Sequence, residues 1–465
     1  MYDAKQSVVV ILLFIFSIFK ASAQKVQVDK IEIIGNKRTK ESVILREILL
    51  SSKSTYSLQS VDSLLQISKN LLWNLKLFND VLVSTQFIDS QGRKIKVVVK
   101  LVERWYLWPW PFVESADRNI NQWIQFNLDP QRTNYGMYLF LFNLRGRNET
   151  LKLTFSEGYT KSLGAEYQIP NIDKAKKWSA KAKINQKKNE EIWYNTFNDK
   201  LQFFRMIGVN MITKNIAQLE MEFRPKYFFR HKMGIDFQSV KVHDTVAKEL
   251  NPKFIFNDQN NYQQTLSLSY EMEYDQRNNK YYPTNGKYFA MDNKWIHFLN
   301  TQNKPIWQAK LSFIQAKKWH NNWGGITKIQ GKVSSPVQPY YFYKSLGYRD
   351  VLRGYENNVI DGAQYVSNQN SMYYQIVQNK TFHLNRLPFD NYKNIPFNMF
   401  ATAHIDQAWV DNQLFSSGNQ LNNSYLLGYG VGLHFLWWND RIFKVEYSAN
   451  RRSKPYLYFS FLSTF

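Results

Sequence analysis

Few residues in this chain are arranged for covalent chemistry. It has no cysteine, which removes disulfides, thiol nucleophiles and cysteine metal sites. The seven histidines are scattered, and neither G-x-S-x-G nor H-E-x-x-H occurs. Gly428, Gly430 and Gly432 recur at every second position, but a glycine loop that cradles phosphate must turn from strand to helix. Here Leu427, Tyr429, Val431 and Leu433 alternate with them, which reads as one strand with a bare face. The chain is therefore expected to be no enzyme and to use no cofactor or metal. Its most distinctive chemistry is noncovalent: Arg353 lies in Val351-Leu352-Arg353-Gly354-Tyr355, after Tyr348 and before Glu356. A guanidinium taken out of water needs carboxylate or polar partners, because an unpaired buried charge is costly. Asp406, on the face of Phe400–Trp409 opposite Ala403 and Ile405, is the candidate partner.

The elements that must position these residues are strands. From Ala116 to Phe465 there is almost no helical periodicity. Leu266, Leu268, Tyr270, Met272 and Tyr274 alternate with Ser267, Ser269, Glu271 and Glu273. Leu219, Met221 and Phe223 alternate with Glu220 and Glu222, and Leu151, Leu153 and Phe155 with Lys152 and Thr154. Apolar residues outward and charged residues inward suit a membrane barrel with a wet lumen, whereas a β-sandwich would bury its apolar faces. Aromatic residues make up 16% of the chain although its mean hydropathy is negative. Half-apolar strands with aromatic girdles reconcile those two facts. At roughly 20 to 25 residues per strand and connection, the segment holds roughly 14 to 16 strands, and sixteen antiparallel ones are expected. The last strand, Pro455–Phe465, puts Leu457, Phe459, Phe461 and Phe465 on one face.

Upstream, Met1–Ala23 reads as a signal peptide. Lys5 precedes the apolar run Val8–Phe19, and Ala21-Ser22-Ala23 forms a cleavage signal. The run is too short for a span of about 20 residues, and no other stretch could cross a bilayer as a helix. The formal charge is +23. Export argues against nucleic acid as the basic chain's partner and favours lipid phosphates or solvated lysines.

Lys25 to Arg104 reads as strand, two helices and two strands. Lys30–Ile34 is a β run before Gly35-Asn36. Ile44, Leu45, Ile48 and Leu49 follow at helical spacing behind Thr39 as N-cap, and Val61, Leu64, Leu65, Leu72 and Leu75 mark a second helix. Val81–Ile88 and Ile95–Val102 then alternate around the Asp89–Arg93 turn as a hairpin. Residues 105–115, where Trp105, Tyr106, Trp108, Trp110 and Phe112 surround Pro109 and Pro111, read as a linker ahead of the barrel, because prolines break strands.

The β-α-α-β-β order, with Gly35-Asn36 after the first strand and Leu77-Phe78-Asn79-Asp80-Val81 before the second, resembles a POTRA domain. Together with the barrel pattern and Val351–Tyr355, the chain resembles the BamA/TamA-like outer-membrane assembly superfamily. In that family a V/L-R-G-F/Y element tips a long loop folded into the lumen. The resemblance implies that Leu352, Arg353, Gly354 and Tyr355 form a latch, that Asp406 matches the family's aspartate, and that Gln375 stands where a glutamate is common. It also implies that Gly428, Gly430 and Gly432 clear room for the loop, and that the C-terminal aromatic strand serves as an assembly signal. Asn278, Tyr282-Pro283-Thr284 and Gly286 resemble the family's Y-P-T-x-G turn, read here as fixing register. The implied partners are outer-membrane lipids, unfolded outer-membrane proteins as clients, and accessory lipoproteins. The location would be the outer membrane, with the POTRA domain in the periplasm.

Overall fold

The structure, a computed structural model, describes residues 25–461 apart from 174, 176, 257–259, 384–393 and 439–440. The expected signal peptide and Phe465 lie outside the described residues. The chain divides into two units, a small one reaching to Trp105 and a large one that begins at Tyr106.

In the small unit, β1 (Lys25–Ile34), α1 (Glu41–Leu45), β2 (Thr55–Ser57), α2 (Leu58–Asn74), β3 (Phe78–Phe87) and β4 (Lys94–Glu103) follow one another. The sheet order is β2-β1-β4-β3, with β1 parallel to β4. Helix α2 starts where the Ser57 hydroxyl accepts the Ser60 N–H, and it buries Val61, Leu65 and Leu72 on one stripe. Gly35 is required by close approach: at φ +97°, a Cβ there would lie 2.0 Å from the Leu101 carbonyl oxygen. Two details depart from the sequence reading. Strand β2 was not anticipated, and α1 is shorter, with Lys40 rather than Thr39 at its N-cap. The Thr39 N–H is taken instead by the Glu103 carboxylate at 2.7 Å.

The large unit is a sixteen-stranded antiparallel sheet with neighbours in chain order. It begins with β5 (Leu107–Ser115), β6 (Thr133–Phe142), β7 (Thr150–Gly158), β8 (Thr160–Ile169) and β9 (Trp178–Asn189). Strands β10 (Glu191–Phe197) and β11 (Lys200–Arg205) leave it as a separate hairpin. It continues through β12 (Ile212–Lys226), β13 (Phe229–Val242), β14 (Tyr262–Asp275), β15 (Gly286–Phe298), β16 (Ile306–Lys318) and β17 (Trp323–Ser334). It ends with β18 (Gln364–His383), β19 (Asn394–Asp411), β20 (Leu426–Trp437), β21 (Arg441–Asn450) and β22 (Ser453–Phe461). A short helix, α3 (Ile120–Gln125), lies in the β5–β6 connection.

Burial is inverted relative to a water-soluble protein. Leu268 is 54% exposed on β14 while Glu273 is 8% exposed, and Leu219 and Phe155 are also outward and bare. An outward apolar wall with polar groups inside is what lipid solvation selects, and it excludes the sandwich.

The linker reading at 105–115 is corrected. Residues 107–115 are barrel strand β5, paired with β6 from Leu107↔Leu141 to Ser115↔Thr133. The Phe142 N–H donates to the Tyr106 carbonyl at 2.7 Å, and Ala116 donates to Arg132 at 2.8 Å. Even-numbered residues of β5 therefore face β6, so Pro109 and Pro111 direct their missing donors to the outer edge, where a strand tolerates proline.

Candidate functional site: a loop latched inside the barrel

Residues 335–363 connect β17 to β18 and fold over a small scaffold of their own. Leu346 bridges to Ile360, the Tyr348 hydroxyl donates to Asp361 at 2.6 Å, and Lys310 on β16 meets Asp350 at 2.6 Å. Leu352 and Tyr355 are buried in an apolar cluster with Leu346, Ile360, Val410 and Leu426. The Tyr355 hydroxyl exchanges hydrogen bonds with the backbone of Leu427. This packing leaves Arg353 against the barrel wall.

Arg353 reaches Asp406 in a fork: Nε donates to Oδ2 at 2.8 Å and Nη2 to Oδ1 at 2.5 Å. Its backbone N–H adds a contact to the same carboxylate at 3.2 Å, and Nη1 donates to the Ser371 hydroxyl at 2.6 Å. The Arg353 side chain is 11% exposed and that of Asp406 is 0% exposed. Burial makes each charge dependent on the other. Gly354 has φ +84°, and a Cβ there would lie 2.6 Å from the Ala449 carbonyl oxygen. Gly428 stands opposite Asp406 in the β19–β20 ladder, and a Cβ there would lie 1.9 Å from the Arg353 carbonyl oxygen. Two glycines thus let the loop backbone lie directly on the wall. Asn450, across from Gly428 on β21, donates to the Gly354 carbonyl at 2.5 Å.

Two sequence expectations are revised. Gln375 does not reach the latch. Its side chain donates to Asn398 at 2.9 Å, and it sits four residues, about 13 Å along an extended strand, from Ser371. The side chains of β18 that do serve the loop are Ser371, which accepts from Arg353, and Gln369, which donates to the Val351 carbonyl at 2.7 Å. At Gly430 and Gly432, on the same face as Gly428, the atoms nearest an added Cβ belong to neighbouring strands and not to the loop. A Cβ at Gly430 would meet Tyr447 and Ser448, and one at Gly432 would meet Glu446.

That last contact exposes a residue the sequence reading missed. Glu446 on β21 lies 3.8 Å from Arg353 Nη1 and 3.2 Å from His434 Nε2, supplying the second carboxylate that Gln375 lacks. Its signal was the alternation of Ile442, Lys444, Glu446 and Ser448 with Phe443, Val445 and Tyr447, but placing it needs the register of three strands. The His434 Nδ1 is 3.1 Å from the hydroxyl of Tyr282, which stacks on Phe400 at 4.4 Å. In the Tyr282-Pro283-Thr284 turn, expected to fix register, the Asn278 side chain donates to the Thr284 hydroxyl at 2.8 Å. The turn also buries Tyr282 against Tyr373, Phe400 and His434 of β18, β19 and β20. Beside the latch, Glu356 is buried with one oxygen unpartnered, and burial next to Glu446 pushes its carboxyl up to about 8.

On β22, Leu457 and Phe461 are exposed outward, and Phe459 stacks on Phe443 at 6.3 Å. Among the described residues no ladder joins β22 to β5.

Several known proteins are similar to this chain. Residues 26–104 match the POTRA family, described as a surface antigen variable number repeat. The outer membrane protein assembly factor BamA of Neorickettsia risticii (strain Illinois) is 38% identical over 79 residues, which make up 17% of this chain and 10% of that protein. The chain therefore spans only a small part of that relative. Among solved structures, BamA from Haemophilus ducreyi lacking POTRA domains 1-3 superposes with TM-score 0.55 at 16% identity, covering 94% of this chain and 84% of that one. CdiB from Escherichia coli gives 0.52 at 11% identity, covering 94% and 75%. Likenesses at such low identity bear on the fold alone, and the fold is that of an outer-membrane barrel accompanied by a periplasmic POTRA domain. The Omp85 superfamily domain matches residues 143–436, well over half of the sequence, and the chain belongs to that superfamily.

Proposed function

We propose that this protein assembles β-barrel proteins into the outer membrane, taking unfolded clients at the POTRA sheet and templating their strands at the β5–β22 seam. The observation that carries this reading is a contrast within the barrel. A latched loop lies in the lumen, while the seam between first and last strands lacks two backbone donors on the β5 side. A wall joint that is weaker than the axial path favours lateral handover of strands by β-augmentation. The POTRA sheet, with β3 at its edge, offers extended clients the same kind of pairing. The name of the Neorickettsia relative supports the same role.

In this reading the protein performs no chemistry, needs no cofactor, and does not engage nucleic acid. Its basic residues meet lipid phosphates, and accessory lipoproteins join it as partners. Depleting the protein in its own host and quantifying the outer-membrane proteome tests the proposal. Broad loss of barrel proteins is expected. Loss of a single exported protein would establish a dedicated secretion pore instead, and no loss would leave a structural or lipid-handling barrel.

A further inference from the structure

The outer edge of β22 is not bare at Phe459. The Asn121 side chain of α3 donates through Nδ2 to the Phe459 carbonyl at 3.0 Å and accepts the Phe459 N–H through Oδ1 at 2.9 Å. A primary amide carries one donor and one acceptor side by side, so it reproduces the two-bond exchange between directly opposed residues of an antiparallel pair. Asn121 is itself buried, at 7% exposed.

The helix that presents this amide is tied to the latch loop by its own N-terminal residues. Arg118 donates to the Gly347 carbonyl and, at 2.8 Å, to that of Asn358. Asn119 caps α3 by accepting the Gln122 N–H at 2.8 Å, and its Nδ2 donates to the Glu356 carbonyl at 2.9 Å. Glu356 is three residues from Arg353. One continuous set of contacts therefore runs from Asp406 through Arg353 and the loop to α3 and the β22 edge. On β5, Pro109 and Pro111 remove two of the donors that a complete strand-to-strand ladder would need.

We infer that α3 is a built-in placeholder for a strand: Asn121 occupies the β22 edge at Phe459, and the latched loop holds it there until an extended polypeptide displaces it. The inference rests on the assembly reading and adds its regulation. Displacement is an exchange of like for like, two amide hydrogen bonds for two, so an incoming strand has only to continue the ladder beyond Phe459 to win.

The test uses the full chain refolded in detergent micelles, with folding verified by heat-dependent gel migration. Asn121→Asp keeps the size and acceptor but loses the donor and sets a carboxylate against the Phe459 carbonyl. Two readouts are taken: hydrogen–deuterium exchange of the segment holding Phe459, and binding of a fluorescent peptide copying Tyr262–Asp275, with a scrambled control. Asn121→Asp is expected to speed exchange at Phe459 roughly tenfold with β21 unchanged, and to tighten peptide binding by a similar factor, the size that loss of the one donated hydrogen bond, with a carboxylate now set against the Phe459 carbonyl, allows. Unchanged exchange overturns the inference. So does faster exchange with equal peptide affinity in variant and wild type, because α3 is then a strut and not a competitor. Faster exchange with no peptide binding in either protein instead sinks templating at the seam while the contact itself stands. If Asn121→Asp does not fold, Asn119→Ala, which removes the α3 cap and its tie to Glu356 and leaves Asn121 and the Arg118 contacts in place, should shift both readouts in the same direction by a smaller factor.

Discussion

The two halves of the barrel wall use the same alternation for different ends. On β18–β21 the inward residues are packed away: Arg353 and Asp406 pair in a fork inside a loop-filled lumen, with Ser371, Gln369, Glu446 and Asn450 around them. On β8–β9 the inward residues include Lys183 and Glu166, which approach only to 3.9 Å and are 39% and 35% exposed. Charge on an inward face is thus no guide to its energetics. In one half the partner is protein, and removing it strands a buried charge; in the other, water is always an alternative.

Three substitutions sharpen this contrast. Arg353→Ala leaves the fully buried Asp406 carboxylate without its cation and should cost about 3–5 kcal/mol of barrel stability, seen as a lower unfolding temperature or denaturant midpoint. An unaltered midpoint with full activity would remove the latch from this account. Gly428→Ala sets a methyl against the Arg353 carbonyl oxygen, where neither backbone can yield easily, and should cost about 1–3 kcal/mol. Its diagnostic reading is greater protease access to residues 335–363 with the strands intact. Lys183→Ala should change stability by at most about 0.5 kcal/mol, and raised salt should erase even that. A loss as large as that of Arg353→Ala would mean that the two halves do not differ.

What could be read from the sequence follows the range of the interaction. Period-two alternation is local, so the barrel and the outward face of β14 were visible at once, as were α2 and the β3–β4 hairpin, whereas the strand number came from segment length, which bracketed it at roughly 14 to 16. Arg353 and Asp406 were found because the motif is distinctive and because Asp406, on the face opposite Ala403 and Ile405, matches the aspartate that the family resemblance implies. Glu446 and Gln369 were missed, and Gln375 wrongly favoured, because partnership across strands depends on register, which a one-dimensional pattern does not carry. Asn121 gave no local signal. The prolines of β5 were seen and misread: the rule that proline breaks a strand holds for strands paired on both sides, and β5 offers one side where no donor is needed.

Those prolines have a consequence between molecules as well as within one. Barrels diffusing in a shared bilayer expose their seams to each other, and two unmodified strand edges meeting there would zip into one continuous sheet shared by both walls. An edge that has lost its donors at Pro109 and Pro111 cannot complete that zipper. On the proposed assembly reading, neighbouring barrels could then admit client strands at their seams without fusing into one another.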